Sequence, residues 1–198
     1  MHYFKKQDVI CASCRNKMQL YQKQCLVNGL KVYAIYIYDD YLEKMLFQYK
    51  EAKDIALSDL FFMPHIQMIK HQYRNHTIVF MPSSVEKTKE RGFHSLQLLL
   101  KNIKLKKMDI LYKNQDYKQS KQHSHQRLYI HNVIAMKEHV SIKGKILLVD
   151  DVCTSGESLK AAYTLLHQKY QDITILVLAI HQAHVKGENN EKLSKKNK

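Results

Sequence analysis

Glycine and proline are scarce in this chain of 198 residues, at 5 and 2. No stretch has linker composition, and no repeat recurs at the periods that mark solenoids or propellers. That excludes an array and a pair of full domains; the length suits one globular domain with a small appendage. Long apolar runs are lacking too. Runs such as 173–180 and 146–149 are strand-sized, far below the roughly 20 residues needed to cross a bilayer. The opening residues Met1 to Asp8 have no apolar stretch of signal-peptide length behind their lysines. The expectation is a cytoplasmic protein with no transmembrane segment. Cysteine is sparse, and four in a cytosolic chain argue for metal or isolated thiols rather than disulfides.

Acidic residues are in deficit as well. Against 18 Asp and Glu stand 32 Lys and Arg, a formal charge of +14. Five lysines and two glutamates fall in residues 186–198, which are expected to form a basic, disordered tail. A denser run lies between Lys101 and His131, with seven lysines and Arg127 against Asp109 and Asp116. That density attracts an anion such as nucleic acid or a phosphorylated metabolite; a solvated face is the plainer alternative.

What is present is a strand and helix alternation. Lys31 to Tyr38 is dense in β-branched and aromatic residues. Leu42, Met45, Leu46 and Tyr49 then recur at helical spacing within Tyr41 to Ala52. A second helical stretch from Asp54 meets a break at Pro64. Thr77 to Met81 reads as a buried strand closed by Pro82. Phe93, Leu96, Leu99, Leu100 and Ile103 share one helical face, and Met108 to Leu111 suits a returning strand. Lys145 to Val149 predicts a strand, Gly156 to Tyr170 a helix burying Leu159, Ala162, Tyr163 and Leu166, and Ile173 to Ile180 the next strand. Such alternation predicts an α/β fold with a mostly parallel sheet flanked by helices, whose ligands sit beyond the carboxyl ends of the strands.

One segment carries chemistry. Lys145-Ile-Leu-Leu-Val-Asp-Asp-Val-Cys-Thr-Ser-Gly-Glu-Ser158 ends a buried strand in two acids and opens a helix through hydroxyls and glycine. Peptide N–H groups at a helix N-terminus, aided by the helix dipole, bind phosphate without a basic side chain. Thr154, Ser155 and Ser158 add hydroxyls, and Gly156 permits close backbone approach. Asp150 and Asp151 suit vicinal ribose hydroxyls or a divalent cation held through them. The bland reading is a helix cap after an acidic strand end. Cys153 has only the acids Asp151 and Glu157 beside it, which raise a thiol pKa, so it reads as a packed side chain rather than a nucleophile.

The loop LLVDDVCTSGES resembles the signature with which type I phosphoribosyltransferases hold 5-phosphoribosyl-1-pyrophosphate. Further segments are similar to one branch, the competence protein F (ComF/ComFC) family: Tyr38-Asp39 with Tyr49-Lys50, Met81-Pro-Ser-Ser with Glu90-Arg-Gly-Phe93, and Lys118-Gln-Ser-Lys-Gln122 with Arg127 and Asn132. His94 stands where that family usually has asparagine. The resemblance implies a type I phosphoribosyltransferase-like domain over 32–185. Its phosphoribosyl site would comprise Asp150, Asp151, Thr154, Ser155, Gly156, Glu157 and Ser158, with Ser83, Ser84 and Arg91 contacting phosphate or pyrophosphate. Mg2+ would accompany phosphoribosyl pyrophosphate.

Cys11-Ala-Ser-Cys14 has the two-residue spacing of a zinc knuckle. Family members usually carry a second pair, but Cys25-Leu-Val-Asn28 has lost one thiol. An eroded zinc module over 1–31 is expected, in which either Cys11, Cys14 and Cys25 are ligands with a fourth from elsewhere, such as His2 or Asp8, or the metal has been abandoned. The function implied by the resemblance is a competence protein binding single-stranded DNA or a phosphoribosyl ligand during DNA uptake. It would work with a helicase-like ATPase partner, at the inner face of the membrane through partners. Lys118, Lys121 and Arg127 are its nucleic-acid candidates, with Tyr112, Tyr117 and Tyr129 as stacking platforms. The alternative is an active phosphoribosyltransferase of nucleotide metabolism. The sequence names no catalytic base, so activity is left undecided.

Overall fold

A computed structural model describes residues 10–113 and 134–185. In chain order these form α1 (Ala12–Asn16), β1 (Leu20–Val27), β2 (Leu30–Tyr38), α2 (Asp40–Lys50), α3 (Ser58–Phe61), α4 (Ile66–Gln72) and β3 (His76–Phe80). There follow α5 (Val85–Arg91), α6 (Ser95–Leu99), β4 (Lys107–Met108), β5 (Leu111–Lys113), β6 (Ile134–Met136), β7 (Lys145–Cys153), α7 (Glu157–His167) and β8 (Ile173–His181). Six strands make one sheet in the order β1-β2-β8-β7-β3-β4, and β5 pairs with β6 in a separate two-stranded ribbon. Every neighbouring pair in the main sheet is parallel except β1 with β2. This is the α/β, mostly parallel and helix-flanked architecture expected of a type I phosphoribosyltransferase-like chain.

The centre of the sheet follows from unbroken apolar runs. Ile146, Leu147, Leu148 and Val149 of β7, and Leu176 to Ile180 of β8, are fully buried, as befits parallel strands covered on both faces. At α2 the side chain of Asp39 accepts from the Leu42 N–H at 2.9 Å, a helix start that leaves Leu42, Met45, Leu46 and Tyr49 facing inward. The break expected at Pro64 falls in a 3-10 turn, Met63–His65, between α3 and α4.

Several elements differ from the sequence-based expectation. Strand β7 does not stop at Val149 but runs to Cys153, because β8 offers matching partners: Asp150 faces Val177 and Val152 faces Ala179. The helix expected over 93–103 shrinks to Ser95–Leu99, with Leu100 and Ile103 buried in the turns that follow. A further helix, Val85–Arg91, precedes it and closes on Gly92 at φ 82, a left-handed position suited to glycine. The strand expected over 108–111 divides, Met108 joining the main sheet and Leu111 the ribbon. In α7 the inward face uses Ala161, while Tyr163 is half-buried and stacks on His167. Residues 20–27 run antiparallel along β2, so part of the N-terminal stretch is sheet. The expected tail, 186–198, lies outside the described residues. No described helix is long and apolar enough to cross a membrane.

Tyr49 fixes α2 against the helices beside it. Its ring packs on Phe61 and Phe93 at centroid distances of 5.8 and 5.5 Å, and its hydroxyl donates to the Ser95 carbonyl at 2.7 Å. Tyr49→Phe keeps the packing and removes the bond. It is expected to cost about 1 kcal/mol and lower the thermal midpoint by roughly 2–4 °C, measurable by circular dichroism.

Candidate functional site

The carboxyl ends of β3 and β7, adjacent in the sheet, open a cleft of about 210 Å3. From the β3 side come Met81, Pro82, Ser83 and Ser84, then Lys87 and Arg91 on α5; from β7 come Asp150 and Asp151, and from the first turn of α7 comes Ser158. Lys50 enters from the end of α2, while Lys113 and Ile134 enter from the ribbon. A larger hollow of about 570 Å3 lies at the opposite end of the sheet, lined largely by exposed side chains such as His71, Arg74 and Lys145, and touches none of these residues.

Charge is concentrated in the smaller cleft. Lys50 Nζ stands 2.6 Å from Asp151 Oδ2, with 18% and 17% of the two side chains exposed. Arg91 Nη2 pairs with Glu51, the residue after Lys50, and the Arg91 side chain is 10% exposed. Its Nε is buried with no hydrogen-bond partner among the described residues, a costly state that an incoming acceptor would relieve. Burial, and next to it the charge of Asp151, push the Asp150 carboxyl up to about 7, against the pull of the Asp151 N–H, Lys50 and Lys113. That N–H donates to Asp150 Oδ1 at 2.8 Å.

Of the residues expected at the phosphoribosyl loop, Asp150, Asp151 and Ser158 line the cleft, and so do Ser83, Ser84 and Arg91. Thr154, Ser155 and Glu157 are exposed beside it, and the Ser155 hydroxyl accepts from the Glu157 N–H at 3.4 Å, starting α7. Gly156 is buried at φ 77, and a Cβ there would stand 2.4 Å from Val27 Cγ1. The close approach it permits is therefore with β1. Sequence reasoning does not reach Lys50, Lys87 and Lys113 as site residues, although the Tyr49-Lys50 pair marks the segment. His94 caps α6, its Nδ1 accepting from the Gln97 N–H at 3.4 Å. A short polar acceptor at that position is what asparagine would also provide.

Lys118, Lys121 and Arg127, with Tyr117 and Tyr129, lie outside the described residues. The chain leaves for that segment at Lys113 and returns at Ile134, and both of these line the cleft. Tyr112 is exposed on β5.

The cysteines separate. Cys14 N–H donates to Cys11 Sγ at 3.5 Å and holds that exposed thiol below its usual value. Cys25 is buried in β1, its thiol directed at the Val32 carbonyl at 3.6 Å. The described residues hold no group of three or more His, Cys, Asp or Glu placed to share a metal ion, so Cys25 does not join Cys11 and Cys14. By themselves they do not fit a closed zinc site; His2 and Asp8 lie outside the described residues. Asn28 is occupied elsewhere, its Nδ2 donating to the Ser155 carbonyl at 2.8 Å. Burial, and then Asp150, push the Cys153 thiol up to about 12, consistent with a packed side chain.

The raised Asp150 pKa has a sign that can be tested. The folded form holds its proton to a higher pH than the unfolded chain, so this group's contribution to stability falls as pH rises from about 4 through about 7. Asp150→Asn keeps the acceptor and cannot ionise. Relative to the parent, its thermal midpoint should be roughly 2–4 °C more favourable at pH 8 than at pH 5.5, for about 1 kcal/mol relieved. Equal differences at the two pH values would show that Asp150 ionises without penalty.

No protein-family model matches the chain. It is 27% identical to the competence protein ComFC of Streptococcus pneumoniae over 158 residues, covering 80% of this chain and 69% of the relative. It is 26% identical to ComFC of Bacillus subtilis over 138 residues, 69% of this chain and 58% of that one. Among solved structures, orotate phosphoribosyltransferase from Aeropyrum pernix superposes with a TM-score of 0.35 at 15% identity, over 85% of this chain and 78% of that one, too loosely to bear on function. Over most of its length the chain is thus similar to two ComFC competence proteins.

Proposed function

We propose that the cleft binds a phosphorylated ribose, or a nucleic-acid phosphate in its place, and that the protein serves DNA uptake as a binding protein for single-stranded DNA. The observation that carries this reading is the buried Arg91 Nε, without a hydrogen-bond partner among the described residues, in a cleft shared with Lys50, Lys87 and Lys113. An anion with several acceptor oxygens satisfies that nitrogen and meets three further cations. Opposite them, Asp150 and Asp151 accept from sugar hydroxyls. The names of the relatives supply the biological setting, competence.

The donor set also suits Mg2+, which takes hard oxygen ligands. Two adjacent carboxyl groups, one pushed up by burial and then by the charge of the other, favour an added cation. Asp150 and Asp151 would hold it through sugar hydroxyls or water, and it would neutralise part of a diphosphate's charge. Lys50 already offsets Asp151, so a ligand with a single phosphate is not bound to need the metal.

The basic segment supplies the second half of the reading. Lys118, Lys121 and Arg127 fall in sequence between Lys113 and Ile134, which both line the cleft, and in this reading their charge neutralises phosphates flanking the one in the cleft. Replacing all three with alanine should weaken single-stranded DNA binding for every sequence and flatten the log-log salt dependence by about 2, at roughly 0.7 for each phosphate no longer neutralised. Fluorescence anisotropy at several salt concentrations measures both, with phosphoribosyl pyrophosphate expected to compete. Unchanged affinity and slope would reduce the segment to a solvated face. Base-dependent release of pyrophosphate, abolished by Asp151→Asn, would replace the binding reading with that of a transferase.

A further inference from the structure

Strands β1 and β2 are joined by the two residues Asn28 and Gly29, at φ 49 and 77, the left-handed pair that a tight hairpin requires. The tip of this hairpin rests on the turn between β7 and α7. Val27 fills the place that a side chain on Gly156 would take, and Asn28 Nδ2 donates to the Ser155 carbonyl at 2.8 Å. Just beyond β8, His184 Nε2 hydrogen-bonds the Thr154 carbonyl. The acceptor is a carbonyl, so that ring nitrogen must carry a proton. Two consecutive loop carbonyls are thus held by side chains from opposite ends of the chain.

A trans peptide is planar, with its C=O and N–H pointing in opposite directions. Pinning the Thr154 carbonyl to His184 turns the Ser155 N–H away from His184. Pinning the Ser155 carbonyl to Asn28 likewise turns the Gly156 N–H away from the hairpin. Neither N–H donates to a protein acceptor among the described residues. Both precede α7, an eleven-residue helix whose first turn places Ser158 in the cleft. In the same cleft, the nine-tenths-buried Arg91 side chain keeps an Nε with no hydrogen-bond partner among the described residues.

We propose that Asn28 is a positioning residue which, with His184, fixes the loop so that the Ser155 and Gly156 amides are presented to a phosphate. This rests on the reading of the cleft as a phosphoribosyl site. The position that would carry a thiol in a paired zinc module here carries the one short side chain that tolerates a left-handed backbone and also donates a hydrogen bond.

The test uses the full chain and ribose 5-phosphate, by calorimetry and by amide resonances of 15N-labelled protein. Asn28→Gly keeps the turn and removes the donor; Asn28→Asp keeps the turn and replaces the donor with an acceptor. Both should bind about tenfold more weakly, the size of one lost hydrogen bond, with the Gly156 amide shift on saturation reduced. His184→Ala should behave alike, and His184→Gln, which restores an N–H donor, should recover part of the loss. A parent that binds while both Asn28 variants match it in affinity and Gly156 shift overturns the positioning role alone. Weakening by Asn28→Asp but not Asn28→Gly also overturns it, since charge would then be the cause. A parent that fails to bind ribose 5-phosphate removes both this role and the phosphoribosyl reading.

Discussion

Two carboxylates side by side at the end of a strand buried on both faces repel each other in surroundings where water cannot screen them. Strand β7 imposes this. Its apolar run to Val149 lies between β3 and β8, and the pairing with β8 continues through Asp150 to Cys153. The acids are therefore held by sheet hydrogen bonds rather than by a mobile loop. Asp150 responds by retaining its proton toward neutral pH, and Asp151 by taking Lys50 as a partner. A site that is electrostatically uncomfortable when empty is one in which a polar, cation-accompanied ligand gains more than it would at a relaxed surface.

The end of α2 controls both signs of charge in the cleft. Lys50 and Glu51 are consecutive, and they hold Asp151 and Arg91 respectively. Tyr49, immediately before them, is buried and tied to the Ser95 carbonyl, so the pair of charges is carried on a fixed anchor. Glu51 engages Nη2 of Arg91 and leaves Nε without a partner among the described residues. The guanidinium is consequently oriented before any ligand arrives, which lowers the entropic cost of using it.

Much of this is legible in the residues. Apolar runs without alternation mark β7 and β8 as central parallel strands, and the i, i+3, i+4, i+7 spacing marks α2. The acids and hydroxyls of 150–158 are visible because strand, loop and helix are contiguous in sequence, and Ser83, Ser84 and Arg91 because a resemblance joins them. Lys50 is visible only as part of a segment, since an amphipathic pattern says which face of a helix is buried and not which polar residue at its end turns inward. The full length of β7 is hidden for a related reason: aspartate disfavours strands, and only the partner strand shows that pairing continues through it. Helix α5 buries no apolar residue, so it carries no apolar stripe by which periodicity could find it.

The role of Asn28 is hidden by 127 residues of separation from its acceptor, and by the spacing that makes its position look like a missing metal ligand. The sequence does carry a local signal there, since Asn-Gly between two β-rich runs is a strong hairpin indicator. The hairpin has a consequence beyond the edge of the sheet. Because Val27 occupies the space above Gly156, the loop cannot rearrange toward β1 without moving that strand, and β1 is held along β2 by a ladder from Lys23 to Val27. The shape of the loop is therefore as stable as the N-terminal strand pairing. Strand pairing and apolar burial at Cys25 and Val27 therefore anchor the hairpin whose tip sets the shape of the loop.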